Sequence, residues 1–134
     1  MNPTYKRNLD QPARVLVVED EVVVLMCTAE ALADAGFDVV EADDADSALR
    51  LLEAEPDRFD MIFTDINLPG ELDGFDLAEK ARALRPDLPV LYASGGPQME
   101  LTSRKVRDGR FIRKPYLPSQ ICAHARSMTL PHAA

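Results

Sequence analysis

Five short apolar runs, separated by segments whose apolar residues recur at helical spacing, restrict what this chain can fold into more than anything else in it. The runs are residues 14–18 (RVLVV), 37–41 (FDVVE), 61–64 (MIFT), 89–93 (PVLYA) and 110–113 (RFIR). Runs of that length bounded by turn residues read as strands. Between the first two, EVVVLMCTAEALADAG predicts a helix that Gly36 closes in a left-handed cap. Asp44 or Asp46 predicts the N-cap of a second helix, with Ala45, Ala48, Leu49 and Leu52 on one face and Pro56 as its stop. Leu77, Ala81 and Leu84 give a third its buried stripe before Pro86, and Pro118 opens a last helix that Pro131 ends. Strand and helix in alternation predict an α/β domain: a doubly wound, five-stranded parallel sheet with helices on both faces and right-handed crossovers. The first, third and fourth strands lack polar alternation, which predicts central positions buried on both sides. From residue 95 to 109 the pattern weakens, and GGP followed by MELTSRKVRDG leaves room only for a short or irregular helix.

A chain of 134 residues is one domain, expected at 13–130, with a flexible N-terminal extension at 1–12 and a tail at 131–134. No apolar run nears the roughly 18 residues of a membrane span, and MNPTYKRNLDQP lacks the apolar centre of a signal peptide, so a cytoplasmic location is expected. A net charge of -8 argues against direct binding to nucleic acid, whose affinity for proteins comes mainly from Lys and Arg. Cys27 and Cys122 sit inside helical patterns without metal or redox spacing, and both are expected to be reduced, buried structural residues.

A parallel sheet turns the carboxyl ends of its strands toward one edge, where open α/β folds bind ligands. The stretch DMIFTDINLPGELDG drives an apolar run into Asp65 and then into Asn67, Pro69, Gly70 and Gly74, residues of a turn leaving the sheet. Glu19 and Asp20 follow the first strand, Ser94 the fourth and Lys114 the fifth. Carboxylates about 4 to 5 Å apart at an effective dielectric near 20 repel by roughly 3 to 4 kcal/mol per pair, so three do not stay ionised together unaided. A proton, a lysine or a divalent cation has to compensate, and an all-oxygen site with room for water suits Mg²⁺ best.

With these residues in view, the chain resembles the receiver domain of bacterial two-component response regulators. VVEDE after the first strand, FTDINLPGELDG around the third, YASGG around the fourth and FIRKPY around the fifth stand in the family's order and cover about residues 13–130. The resemblance implies the flavodoxin-like (βα)5 receiver fold, and the strand order 2-1-3-4-5 comes with it as the family's own order. It implies Asp65 as the phosphoacceptor and a Mg²⁺ site at Glu19 and Asp20, with Asp20, Asp65 and the backbone carbonyl of Asn67 as ligands. Ser94 would hydrogen-bond the phosphoryl group and Lys114 would pair with it. Ser94 and Phe111 would form the switch, and the Lys114–Pro115 bond would be cis. The phosphodonor would be a histidine kinase or histidine phosphotransfer protein. The chain would then be a signalling module, not an enzyme, catalysing only its own Mg²⁺-dependent phosphorylation and dephosphorylation. About four residues remain after the last helix, so no output domain is expected and the downstream target would be another protein.

Two surface features stay open at this level. The run 22–27 is apolar around more than a full helical turn, which means either an exposed docking face for a phosphodonor's helical bundle or unusually deep burial. Arg104, Lys105, Arg107, Arg110 and Arg113 form a basic patch, either a solvated face or a contact for an acidic partner or a second protomer in a homodimer. Rival functions fit less well. An aspartate-nucleophile phosphatase resembles the chain poorly, placing an acid–base aspartate two residues after its nucleophile on the first strand. Here that position holds Asn67, on the third strand. A nucleotide or flavin binder needs a phosphate-welcoming loop after the first strand, where this chain has EDE. A pure interaction module with a silent site is the remaining alternative.

Overall fold

The computed structural model describes residues 11–96 and 102–130. In chain order the elements are β1 (Arg14–Val18), α1 (Val22–Asp34), β2 (Asp38–Ala42), α2 (Ala45–Ala54), a 3₁₀ turn (Pro56–Arg58), β3 (Met61–Asp65), α3 (Gly74–Leu84), β4 (Val90–Ser94), a second 3₁₀ turn (Thr102–Arg104), β5 (Arg110–Arg113) and α4 (Pro118–Thr129). The strands form one parallel sheet in the order β2-β1-β3-β4-β5. β3 and β4 are buried along their whole length and β1 nearly so, as the absence of polar alternation requires. Successive side chains point to opposite faces of the sheet and so make two cores. Leu16, Val18, Ile62, Val90 and Tyr92 face α2 and α3, while Val15, Val17, Met61, Phe63 and Leu91 face α1 and α4.

Pairing moves the bounds of three strands by one residue from the sequence expectation. β2 and β4 each begin and end one residue late because Ala42 pairs with Val18 and Ser94 with Arg113, and β3 takes in Asp65, which pairs with Ala93. Asp44 is the cap of α2, accepting from the Ser47 N–H at 2.7 Å. Gly36 turns the chain out of α1 at φ +99°, as expected of a residue without a Cβ. α3 opens on a capping box that the sequence reading did not single out. Asp73 Oδ1 accepts from the Asp76 N–H at 2.9 Å, and the Asp76 carboxylate accepts from the Asp73 N–H at 3.0 Å.

Two expectations need correction. Leu84, placed on the buried stripe of α3, is 39% exposed; the buried residue at that end is Arg85, whose guanidinium bonds the carbonyls of Pro56 and Phe59. Cys27 is exposed, although Cys122 is buried as expected. The buried face of α1 runs through Leu25, Thr28, Ala29 and Leu32, and at about 100° per residue Cys27 falls off it. Between β4 and β5 the described residues hold a single 3₁₀ turn in place of the helix that a (βα)5 pattern would have, in line with the weak helical signal there. Residues 97–101 of that segment lie outside the described residues, as do residues 1–10 of the expected extension, the tail 131–134 and Pro131, the expected stop of α4. Among the described residues no helix is long and apolar enough to cross a membrane.

Candidate functional site

Because all five strands run the same way, their carboxyl ends share one edge of the sheet, and the residues just beyond them meet there. The Lys114 ammonium donates to Glu19 Oε1 at 2.6 Å and to Asp65 Oδ2 at 3.0 Å. Carboxylate oxygens of Glu19, Asp20 and Asp65 all lie within 4.8 Å of one another. Glu19 and Asp65 are buried, Asp20 is exposed, and Lys114 stands between, its side chain 21% exposed. The pocket is thus walled by protein on one side and open to water at Asp20.

The charges there do not balance. Burial pushes the Glu19 carboxyl up to about 7, further than the Lys114 hydrogen bond can pull it back, and the charge of Asp65 adds to the rise. Burial also works against the Lys114 charge, but the bonds to Glu19 and Asp65 outweigh it and hold the ammonium above its ordinary range. Three carboxylates against one ammonium leave a surplus of negative charge, each close pair repelling by roughly 3 to 4 kcal/mol at an effective dielectric near 20. An all-oxygen donor set in a half-open pocket is the kind that a hard divalent cation fits. Glu19, Asp20 and Asp65 are the residues that could hold one.

Asp65 is held at both ends. Its Oδ2 meets Lys114, and its Oδ1 accepts from the Asn67 N–H at 3.2 Å, so the turn after β3 folds back over the carboxylate. Its backbone carbonyl accepts from Thr64 Oγ1 at 2.9 Å and lies against Gly74, the first residue of α3. A Cβ on Gly74 would come within 2.2 Å of that carbonyl oxygen and 2.7 Å of Ile66 Cα. The sequence reading noted Gly74 only as a turn residue; the signal for more was a glycine placed directly at the start of a helical pattern.

Ser94, fully buried, ends β4 next to the strand that carries Asp65, and its Oγ accepts from the Gly96 N–H at 3.2 Å. Phe111 is half-buried on the α3 side of the sheet. Its ring stacks on Tyr92 with centroids 5.2 Å apart and meets Phe75 edge-on at 6.4 Å, and the Tyr92 hydroxyl accepts from the Val106 N–H at 3.0 Å. The Lys114–Pro115 peptide bond is cis.

The structure resolves both open surface features. Val22, Val23 and Met26 are 67%, 72% and 61% exposed, so most of the run 22–27 faces water, with Leu25 turned into the core. Beside it a groove of about 450 Å³, lined mainly by Val23, Val24, Cys27, Tyr116, Pro118 and Ile121, runs up to Lys114. The basic run does not form one patch. Arg104 bonds Asp73, Asp76 and Glu79 at 3.0 to 3.2 Å and lies over the Phe75 ring, whereas Arg110 reaches across to Ser127 on α4 at 3.2 Å.

The family model of the response regulator receiver domain matches residues 15–126. The chain belongs to that family. Receiver domains are the signalling modules of two-component systems and not enzymes in the ordinary sense, and histidine kinases and downstream partners interact with them. The response regulator receiver protein CpdR of Brucella abortus (strain 2308) is 34% identical over 105 residues, covering 77% of this chain and 85% of its own. A two-component response regulator of Arabidopsis thaliana is 28% identical over 110 residues, and there the match takes in 81% of this chain but only 28% of the longer protein. Among solved structures, a response regulator receiver protein from Sinorhizobium medicae WSM419 superimposes with a TM-score of 0.82 at 28% identity, covering 88% of this receiver and 94% of that one.

Proposed function

We propose that this receiver accepts a phosphoryl group on Asp65 from the phosphohistidine of a histidine kinase or histidine phosphotransfer protein, and signals by changing its contacts with other proteins. One observation carries the reading: Lys114 bridges Glu19 and Asp65 inside a pocket whose third carboxylate, Asp20, faces water. The domain that does this spans residues 13–130, and a cytoplasmic location follows from a donor that is itself charged by ATP.

An Asp65 carboxylate oxygen attacks phosphorus; the P–N bond to the donor imidazole breaks as the P–O bond forms, and the released imidazole takes up a proton. What remains for the protein is positioning and the neutralisation of charge on the equatorial oxygens. Lys114 turns from Asp65 toward those oxygens, and the Ser94 hydroxyl donates to one of them. Glu19, Asp20, Asp65 and the backbone carbonyl of Asn67 would hold Mg²⁺, which when bound supplies the rest of the charge compensation. The added negative charge draws Ser94 inward and Phe111 follows it, rearranging the stack with Tyr92 and Phe75 and hence the neighbouring surface. The exposed face at 22–27 and the groove leading to Lys114 suit the helical bundle of the donor.

Incubated with Mg²⁺ and a small-molecule phosphodonor and then weighed intact, the wild type gains the mass of one phosphoryl group and Asp65→Asn gains nothing. A wild type that stays unmodified makes the silent interaction module the better account. The metal reading has its own test, in thermal unfolding. Mg²⁺ at about 100 times its dissociation constant adds roughly 2.7 kcal/mol to stability, and Asp20→Asn weakens the gain. The sign of the pH dependence follows from Glu19. Its folded-state pKa is raised from 4.5 to about 7, so the stability it contributes is present at low pH and lost as pH rises through 7 in metal-free protein. The midpoint gained on adding Mg²⁺ is therefore larger at pH 8 than at pH 6, and a gain that shrinks with pH speaks against the site.

A further inference from the structure

Two residues past Lys114, Tyr116 ties the loop that carries the lysine to a helix from another part of the chain. Its hydroxyl shares a 2.5 Å hydrogen bond with Thr28 Oγ1, on the buried face of α1. Its ring stands edge-on to Phe63 with centroids 5.5 Å apart, and Phe63 lies two residues before Asp65 on β3. A helical threonine commonly turns its hydroxyl to the carbonyl four residues back, as Thr129 does to Ala125 at 2.8 Å. Thr28 instead reaches across to the loop.

The reason such a tie matters lies in the loop's own backbone. Lys114 is anchored on the strand side, where its N–H donates to the Ser94 carbonyl at 3.0 Å. On the other side Pro115 has no N–H to give, and the Leu117 N–H is taken by Gln120 Oε1 at 2.7 Å within the first turn of α4, so neither of them ties the loop to α1. The Lys114 side chain is only 21% exposed, so its stem has little free room in which to re-aim, and the ammonium meets Glu19 at 2.6 Å and Asp65 at 3.0 Å from this one placement of its Cα.

We propose that Tyr116 is a positioning residue for phosphoryl uptake: its hydrogen bond to Thr28 holds the β5–α4 loop against α1 and so keeps the Lys114 ammonium in register with Asp65. The inference rests on Asp65 as the phosphoryl acceptor.

A small-molecule phosphodonor is the right probe, because it has no surface that could lose contact with the groove wall. Tyr116→Phe keeps the ring and its contact with Phe63 and deletes only the hydroxyl. At saturating donor its phosphorylation rate constant falls about fivefold to tenfold, while the half-saturating donor concentration stays at the wild-type value. Thr28→Val falls equally, the double variant falls no further than either single one, and Thr28→Ser, which restores a hydroxyl, recovers most of the rate. Tyr116→Phe at the wild-type rate overturns the inference. So does a double variant whose losses multiply, or a Thr28→Ser as slow as Thr28→Val. A wild type that takes no phosphoryl group defeats the Asp65 reading and this inference together, whereas a phosphorylated wild type matched by Tyr116→Phe defeats this inference alone.

Discussion

Gly74→Ala destabilises the protein by about 3 kcal/mol or more, at the upper end of what overpacking costs. Away from such a contact, alanine in place of a helical glycine stabilises by roughly 0.5 to 1 kcal/mol, so the sign itself is diagnostic. The added methyl would sit 2.2 Å from the Asp65 carbonyl oxygen and 2.7 Å from Ile66 Cα, and both are backbone atoms that no rotamer change can move. Relief requires α3 to slide away from β3. That breaks the 2.7 Å bond from the Gly74 N–H to the Ile66 carbonyl and disturbs the Asp73–Asp76 capping box at the same helix end. Asp65 moves with its carbonyl, so the phosphoryl uptake proposed for it falls even in molecules that stay folded. Denaturant midpoints of Gly74→Ala beside wild type decide the matter, and an unchanged or raised midpoint would show that α3 does not rest on the Asp65 backbone.

Lys114→Met, which keeps the apolar stem and removes the charge, destabilises the metal-free protein by about 3 kcal/mol. Breaking a buried ion pair by removing one partner leaves the other charge uncompensated, and here, at a pH well above 7 where Glu19 too is ionised, it leaves two, on Glu19 and Asp65, whose side chains are 5% and 8% exposed. The lysine is itself partly open to water, which puts the loss at the lower end of the usual range. Two restorations follow. Adding Glu19→Gln to Lys114→Met removes one of the stranded charges and recovers stability, and a divalent cation recovers it without further substitution. Urea unfolding with and without Mg²⁺ measures both. A Lys114→Met protein as stable as wild type in the absence of cations would mean that the ammonium balances nothing.

Much of the site was legible because it follows from strand ends. An apolar run that stops at a carboxylate is a local pattern, and parallel strands bring such ends to one edge whatever their sequence separation. Glu19, Asp20, Asp65 and Lys114 could therefore be grouped before any distance was known, and the bonds of 2.6 and 3.0 Å agree with the grouping. Side-chain partners were less legible. The basic run looked like one patch because its residues are neighbours in sequence, but Arg104 turns to α3 and Arg110 to α4. Cys27 looked like core because it stands among apolar residues, yet α1 buries only one stripe and leaves Val22, Val23 and Met26 in water. Thr28 and Tyr116 stand 88 residues apart, and neither carries a local signal for the other.

From the sequence alone came the alternation of strands and helices, the central place of the first, third and fourth strands, and the collection of acids and a lysine at one edge. These depend on burial period and turn chemistry, which act over a few residues. Tertiary structure alone decided which carboxylate the ammonium meets, how tightly α3 lies on Asp65, which face of α1 stays in water and where Tyr116 is tied. Those are distances between distant parts of the chain, set by sheet register and by how each helix is rotated onto the sheet, and no short stretch of residues contains them.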